Sequence, residues 1–334
     1  MSAPLLVEVT RGDLVESAHR VAACAVDARG DVILQAGEID VPVYLRSAAK
    51  PFIAAAVLEA GAAQRFGFDA REIAVMAASH SGEPFHVEAV RSILEKIGMD
   101  ESALQCGVHP PYDDEAASAL RRAGQKPSAL HNNCSGKHAG ILALAKILGA
   151  DPATYLRAEN PAQESILALC ARLSDEDPSR WPVGIDGCGI PVYATSLRKA
   201  ALSFARLATL AGIGESDAAA LRAVRDAMLA NPEYVAGTGQ IDTELMIAGR
   251  GNVVAKAGAE GVHGIAAIAQ GYGYVSKVLD GNSRGRGPST VAALRRLGVL
   301  DEAQAEQLAR FARPKVYNRA GRAVGEIRVS EHAV

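Results

Sequence analysis

Aromatic side chains are scarce: Phe, Tyr and Trp make up 4% of the 334 residues, with a single Trp. A core short of large rings has to be filled by small aliphatic side chains, so helices and strands must approach one another closely. Positive charge is not in excess either. With 35 Lys and Arg against 38 Asp and Glu, the net charge is −3, which leaves nothing to neutralise phosphates and excludes nucleic acid as a main partner. Long apolar runs are missing. The longest uncharged stretch, Gly261 to Ser276, is broken by His263, Gln270 and several glycines and is too short and polar to span a bilayer. Met1 to Glu8 shows no basic segment followed by an apolar one, so no export signal is read there and a soluble, cytoplasmic protein without membrane partners is expected.

Cysteines number five, an odd count in a chain of this size, which argues against a disulfide framework. Cys24 and Cys170 fall in apolar runs and read as buried small hydrophobes. Cys106, Cys134 and Cys188 lie among glycines and polar residues. For the last two, three readings stay open: plain packing, a redox pair, or metal ligands.

Hydrophobic residues at 49% and charged residues at 22% are ordinary for a globular chain, and no Gly/Ser linker or repeat divides it. One domain over residues 1–334 is expected. Strand-forming runs concentrate at the chain ends: Arg20 to Asp27 and Asp31 to Gln35 around a Gly-containing turn, then Val253 to Ala257, Gly264 to Val278, Lys315 to Tyr317 and Ala323 to Val329. The middle carries helical periodicity, including Ala48 to Leu58, Glu83 to Lys96, Lys137 to Leu148, Pro161 to Leu173 and Val192 to Ala211. These patterns predict a mixed α/β (α+β) fold, with an antiparallel sheet from the two chain ends, flanking helices, and a helical lobe from the middle.

Several short segments carry chemistry. Arg46-Ser47-Ala48-Ala49-Lys50-Pro51 contains Ser-x-x-Lys, a spacing that brings a hydroxyl and an amine to one face of a helix; a lysine there accepts the serine proton only once neutral. Pro51 must then lie in the first helical turn. Ser-x-x-Lys also occurs at Ser196 to Lys199, within the run read as a helix. Ser79-His80-Ser81-Gly82-Glu83 reads either as a helix connection with Ser81 as N-cap or as a loop facing a cleft. His131-Asn132-Asn133-Cys134-Ser135-Gly136-Lys137-His138 crowds amides, a thiol, a lysine and histidines ahead of an apolar helix. Asp186-Gly187-Cys188-Gly189-Ile190-Pro191 sets a thiol between glycines, and Lys256 ends a strand before Ala257-Gly258. A strand-end Lys followed by Ala-Gly resembles the Lys-Thr-Gly element of the active-site-serine penicillin-binding and β-lactamase group.

Taken in order, these motifs, with Gly237-Thr238-Gly239-x-x-Asp242 and Lys256-Ala257-Gly258-Ala259-Glu260-Gly261, resemble the rhizobial-type bacterial L-asparaginases, the asparaginase II family. The resemblance implies a serine-β-lactamase-like fold, a homodimer, and hydrolysis of L-asparagine to L-aspartate and ammonia. It implies two Ser-Lys pairs, Ser47 with Lys50 and Ser79 with Lys256, beside a Zn2+ held by Cys134, Lys137 and Cys188 with water completing the shell. Arg46, His138 and Asp186 would line the substrate pocket. Two rivals share the same residues: a β-lactamase or peptidase, and a zinc-stabilised amino-acid-binding regulator without catalysis.

Overall fold

The computed structural model describes residues 4–330 and forms two compact units. The first gathers the chain up to Ala48, the segment Thr195–Thr209 and the chain from Glu244 onward. Its centre is an antiparallel sheet in which strands Lys315–Tyr317, Ala323–Val329, Leu5–Arg11, Leu14–Val26, Tyr272–Val278, Val262–Ala267 and Val253–Ala257 lie side by side in that order, with Val32–Ala36 pairing Leu14–Val26. The expected sheet of mixed origin is therefore present. Val7 stands opposite both Val329 and His19, so the first and last strands are neighbours. A cluster of Val7, Val9, Val21, Val278 and Ile327 is buried beneath them, and each such side chain contributes about 1.5–3 kcal/mol. Val21 to Val26 are buried at every position rather than at alternate ones, because helices Leu197–Thr209 and Arg286–Arg296 pack on this strand's sheet.

The second unit comprises Ala49–Ala194 and Leu210–Thr243. It is mainly helical, with Lys50–Glu59, Ala70–Met76, Pro84–Lys96, Ser135–Ile147, Pro161–Ser174 and Glu215–Ala230 as its principal helices. Ser135–Ile147 packs on Lys50–Glu59, Ala70–Met76 and Pro84–Lys96. Asp69 begins Ala70–Met76 with a capping box, accepting from the backbone of Arg71 and Glu72 while Glu72 bonds back to the Asp69 N–H.

Three expectations are corrected by the structure. Val192 to Ala211 is not one helix: Pro191–Ser196 is a strand, and the helix begins only at Leu197. Val192, Tyr193 and Thr195 are β-formers, and they outweigh a helical period that is real only from Leu197 onward. Gly264 to Val278 is two strands joined by a turn at Gly271 rather than one. Ser81 does not cap the helix at Pro84; Glu83 occupies that position. Among the described residues no helix is long and apolar enough to cross a membrane.

Candidate active site

In the helical unit the site begins with Lys50. Its helix starts at Lys50 itself with Pro51 in the first turn, where a missing N–H costs nothing. Lys50 is 1% exposed. Its Nζ lies 2.5 Å from the Ala78 carbonyl, 2.9 Å from Ser79 Oγ and 3.4 Å from the Asn133 carbonyl. Three acceptors match the three protons of an ammonium. Burial nevertheless lowers the lysine pKa, and the charge of Lys137 pushes the same way against the opposing thiols of Cys134 and Cys188. Once the amine is neutral, two carbonyls hold its two protons and the lone pair faces Ser79 Oγ, the geometry of a base addressing a hydroxyl. Ser79 stays partly exposed, and its backbone N–H donates to Val235 O at 2.9 Å.

The Ser79–Glu83 segment is fixed from two sides. His80 N–H donates to the Asn133 carbonyl, and its Nε2 lies 2.8 Å from Ser135 Oγ. Glu83 binds the Gly-Thr-Gly loop: Oε1 accepts from Thr238 N–H and Oε2 from the Thr238 hydroxyl, each at 2.8 Å, while Ser81 Oγ donates to Oε1 at 2.7 Å. Two segments that the sequence offers separately are thus one structure, with Glu83 as the joint. The flanking loop residue His109 is held in the same network. Its Nδ1 donates to Pro110 O and its Nε2 accepts from Asn133 N–H, so both nitrogens are engaged.

The thiol side is built on helix Ser135–Ile147, with Cys134 as its N-cap and Ser135, Gly136, Lys137 and His138 all buried. Gly136 is required there: a Cβ would fall 2.1 Å from the Val75 carbonyl, so only glycine lets this helix start against Ala70–Met76. Asn132 holds the approach, accepting from Cys134 N–H at 2.8 Å while donating to the Cys106 carbonyl at 2.9 Å. Cys188 sits at the tip of the turn between strands Val183–Ile185 and Pro191–Ser196, closed by Asp186 N–H to Ile190 O and Gly189 N–H to Asp186 O.

Lys137 Nζ is 2.8 Å from Cys188 Sγ. The hydrogen bond from Cys188 holds Cys134 well below the ordinary thiol range, with help from the charges of Lys50 and Lys137, while Cys188 as donor is pushed up. Burial acts against the Lys137 ammonium, yet Cys134 and Cys188 raise its pKa above the usual value, and half-buried Asp186 adds to this. A thiolate at a helix N-terminus beside a lysine is a mutually stabilising arrangement. The three expected zinc ligands are therefore together. Among the described residues no three His, Cys, Asp or Glu side chains form a metal-binding group, so any metal here needs Lys137 as its third donor. His138 follows in the same helical turn, fully buried, with Nδ1 2.7 Å from Tyr155 Oη.

In the sheet unit Arg46 and Ser47 occupy a single 3-10 turn, Arg46–Ala49, and Arg46 holds a left-handed φ of 52°, an unfavourable conformation for a side chain of this size. Lys256 is fully buried in strand Val253–Ala257, with Nζ 2.8 Å from the Ala257 carbonyl. The strand end approaches the turn so closely that a Cβ on Gly258 would fall 2.6 Å from Leu45 O. The second Ser-x-x-Lys copy is structural in its serine: Ser196 Oγ accepts from Lys199 N–H at 3.2 Å at the start of helix Leu197–Thr209. Neither Glu83 as a joint nor Tyr155 carries a signal in the sequence, whereas Asn132 stands in the polar crowd from His131 to His138.

The chain is similar to crystal structures of Mglu. The native form in 4.3 M NaCl matches with 18% identity and a TM-score of 0.36, covering 84% of this chain and 60% of that one. The glutamate form matches with 18% identity and a TM-score of 0.36, covering 86% and 64%. The chain thus spans less than two thirds of both, and a TM-score at this level fixes no shared fold. No significant match is found among curated proteins. The family model described as L-asparaginase II, by contrast, matches residues 7–329, nearly the whole chain, and the chain accordingly belongs to the L-asparaginase II family.

Proposed function

We propose that the protein hydrolyses the side-chain amide of L-asparagine to L-aspartate and ammonia, through serine–lysine pairs beside a zinc centre. The observation that carries this reading is the buried Lys50 amine, 2.9 Å from Ser79 Oγ, in a chain of the L-asparaginase II family. Amide hydrolysis needs a nucleophile, a base for its proton, stabilisation of the oxyanion and an acid for departing ammonia. Ser47 is assigned as nucleophile and Lys50 as base on their Ser-x-x-Lys spacing, with Ser79, the serine that Lys50 Nζ reaches at 2.9 Å, and Lys256 as the second pair. The serine oxygen attacks the amide carbon, its proton passes to the neutral lysine, and the C–N bond breaks as the nitrogen takes a proton and leaves as ammonia. Water then splits the resulting ester to aspartate and free serine. Arg46 is suited to a bidentate contact with the substrate carboxylate, with His138 and Asp186 as further lining.

Zinc fits the donors present: two sulfurs, one with its pKa held well below the ordinary thiol range, and an amine meet at one place. Cys134, Lys137 and Cys188 would hold it, and a bound zinc supplies a Lewis-acid position beside the pocket for orienting an oxygen of the substrate. A cytoplasmic homodimer belongs to the same reading, with light scattering as the check on assembly.

An ammonia-release assay across asparagine, glutamine and simple peptides tests the function, repeated on Ser47→Ala and Ser79→Ala. Asparagine turnover abolished by Ser47→Ala with the fold retained is expected. Full activity in Ser47→Ala moves the nucleophile's role to Ser79, and no ammonia from any amide ends the hydrolase reading.

A further inference from the structure

Tyr155 follows the short 3-10 turn Pro152–Thr154 and is fully buried, and its hydroxyl meets two groups among the described residues. The backbone N–H of Gln105, a pure donor, points at its Oη from 2.8 Å. His138 Nδ1 lies 2.7 Å from the same oxygen, with the two rings edge to face at 87°. The phenol oxygen therefore accepts from Gln105, and its own proton has one place to go. If it goes to His138 Nδ1, that nitrogen is the acceptor and the imidazole proton sits on Nε2. In the reverse arrangement Nδ1–H would donate to the phenol, stranding the buried O–H without an acceptor at roughly 1–3 kcal/mol. The first arrangement wins.

His138 Nε2 is itself buried and has no hydrogen-bond partner among the described residues. Carrying a proton, it offers a donor: it can serve neither as a base nor as a metal ligand through that nitrogen.

We infer that Tyr155 is a positioning residue, holding His138 in the tautomer whose Nε2–H donates to an oxygen of the bound amino acid. This deepens the amidohydrolase reading and rests on it for the identity of the ligand. The donor would favour a carbonyl or carboxylate oxygen over a nitrogen at this point of the pocket.

The test combines histidine 15N NMR on the parent protein, with His138 assigned by difference against His138→Gln, and measurements on Tyr155→Phe, His138→Gln and His138→Ala. The parent should show an unprotonated Nδ1 and a protonated Nε2 at His138. Tyr155→Phe should lower kcat/KM for asparagine by about tenfold or more, and weaken L-aspartate binding in calorimetry by a similar factor, the worth of one buried hydrogen bond. His138→Gln, which keeps an amide N–H donor, should retain most aspartate affinity, whereas His138→Ala should lose about tenfold. A proton found on Nδ1 overturns the proposal, as does parent-like aspartate affinity in His138→Ala. A parent enzyme that releases ammonia while Tyr155→Phe matches it within about twofold also overturns it. A parent that releases none from any amide defeats the amidohydrolase reading instead, and the NMR assignment still decides the role of Tyr155.

Discussion

Lys50 and Lys137 are both almost inaccessible, at 1% and 2% exposure, in the same helical unit, yet their basicities move in opposite directions. Around Lys50 the near neighbours are two backbone carbonyls and a hydroxyl, and burial prevails: its pKa falls. Around Lys137 the neighbours are two thiols, Cys134 with its pKa held well below the ordinary range, and the lysine pKa rises although it too is buried. Neighbouring histidines follow Lys50. Burial holds His80 well below the normal imidazole range, and His86, stacked on it at 4.9 Å, is lowered to about 4. Depth alone does not decide protonation; the sign of the nearest groups does. Lys50 is thereby biased toward the neutral amine and Lys137 toward the ammonium.

Breaking the Lys50 side should give the largest effect. Lys50→Met removes the amine facing Ser79 while keeping an apolar chain in its place, and kcat for ammonia release should fall by about 10²–10⁴-fold with the fold intact. A loss of less than about tenfold would show that Lys50 is only a packing residue. The Lys137 side is tested by metal. Converting an ordinary lysine to its neutral form at neutral pH costs roughly 4.6 kcal/mol, and the thiols make Lys137 harder still to deprotonate, so zinc affinity should be moderate and should weaken as the pH falls. Metal analysis of protein prepared without chelator should find zinc in the parent and little in Cys134→Ser, Cys188→Ser or Lys137→Ala. A parent without zinc, even after addition at about pH 8, ends the assignment.

The histidines sharpen the contrast at a smaller scale. His86 donates through Nε2 to the Glu233 carbonyl at 2.9 Å and stays neutral when folded. Below about pH 6.5 an unfolded chain protonates this residue, whereas the folded one resists until about pH 4. Stability is therefore complete above pH 6.5 and declines across that window, by roughly 3 kcal/mol from this residue. Denaturant melts of the parent and of His86→Gln, which preserves a donor, should diverge in their pH dependence between those limits. Parallel curves would refute the idea. Smallest is Glu83→Gln, which swaps charged for neutral acceptance at Thr238 and Ser81 and should cost about 1.5 kcal/mol in the same melts.

What the sequence made legible was local. The serine–lysine spacing, the strand runs at Lys315–Tyr317 and Ala323–Val329, and the polar crowd from His131 to His138 each lie within a dozen residues, where spacing and side-chain chemistry speak directly. Leu5–Arg11 was overlooked because Glu8 and Arg11 interrupt its apolar pattern, although its pairing on both sides makes it a central strand. Glu83 looked like an ordinary acid at a helix start, since its partner Thr238 is 155 residues away. Tyr155 stands in an unmarked loop, and its meaning comes only from Gln105 and His138 on two other segments.

The placing of Leu5–Arg11 between Leu14–Val26 and Ala323–Val329 has a consequence for how the molecule is made. During synthesis the hairpin of the first two strands emerges early, but its other edge stays unpaired until more than 300 further residues have been added, since Val7 meets Val329. An open strand edge of alternating valines is adhesive toward other nascent chains, and closing so long a loop is slow. The ribosome-bound chain therefore keeps that edge open until Ala323–Val329 has emerged, and a stop codon a few residues before Ala323 would leave it permanently exposed.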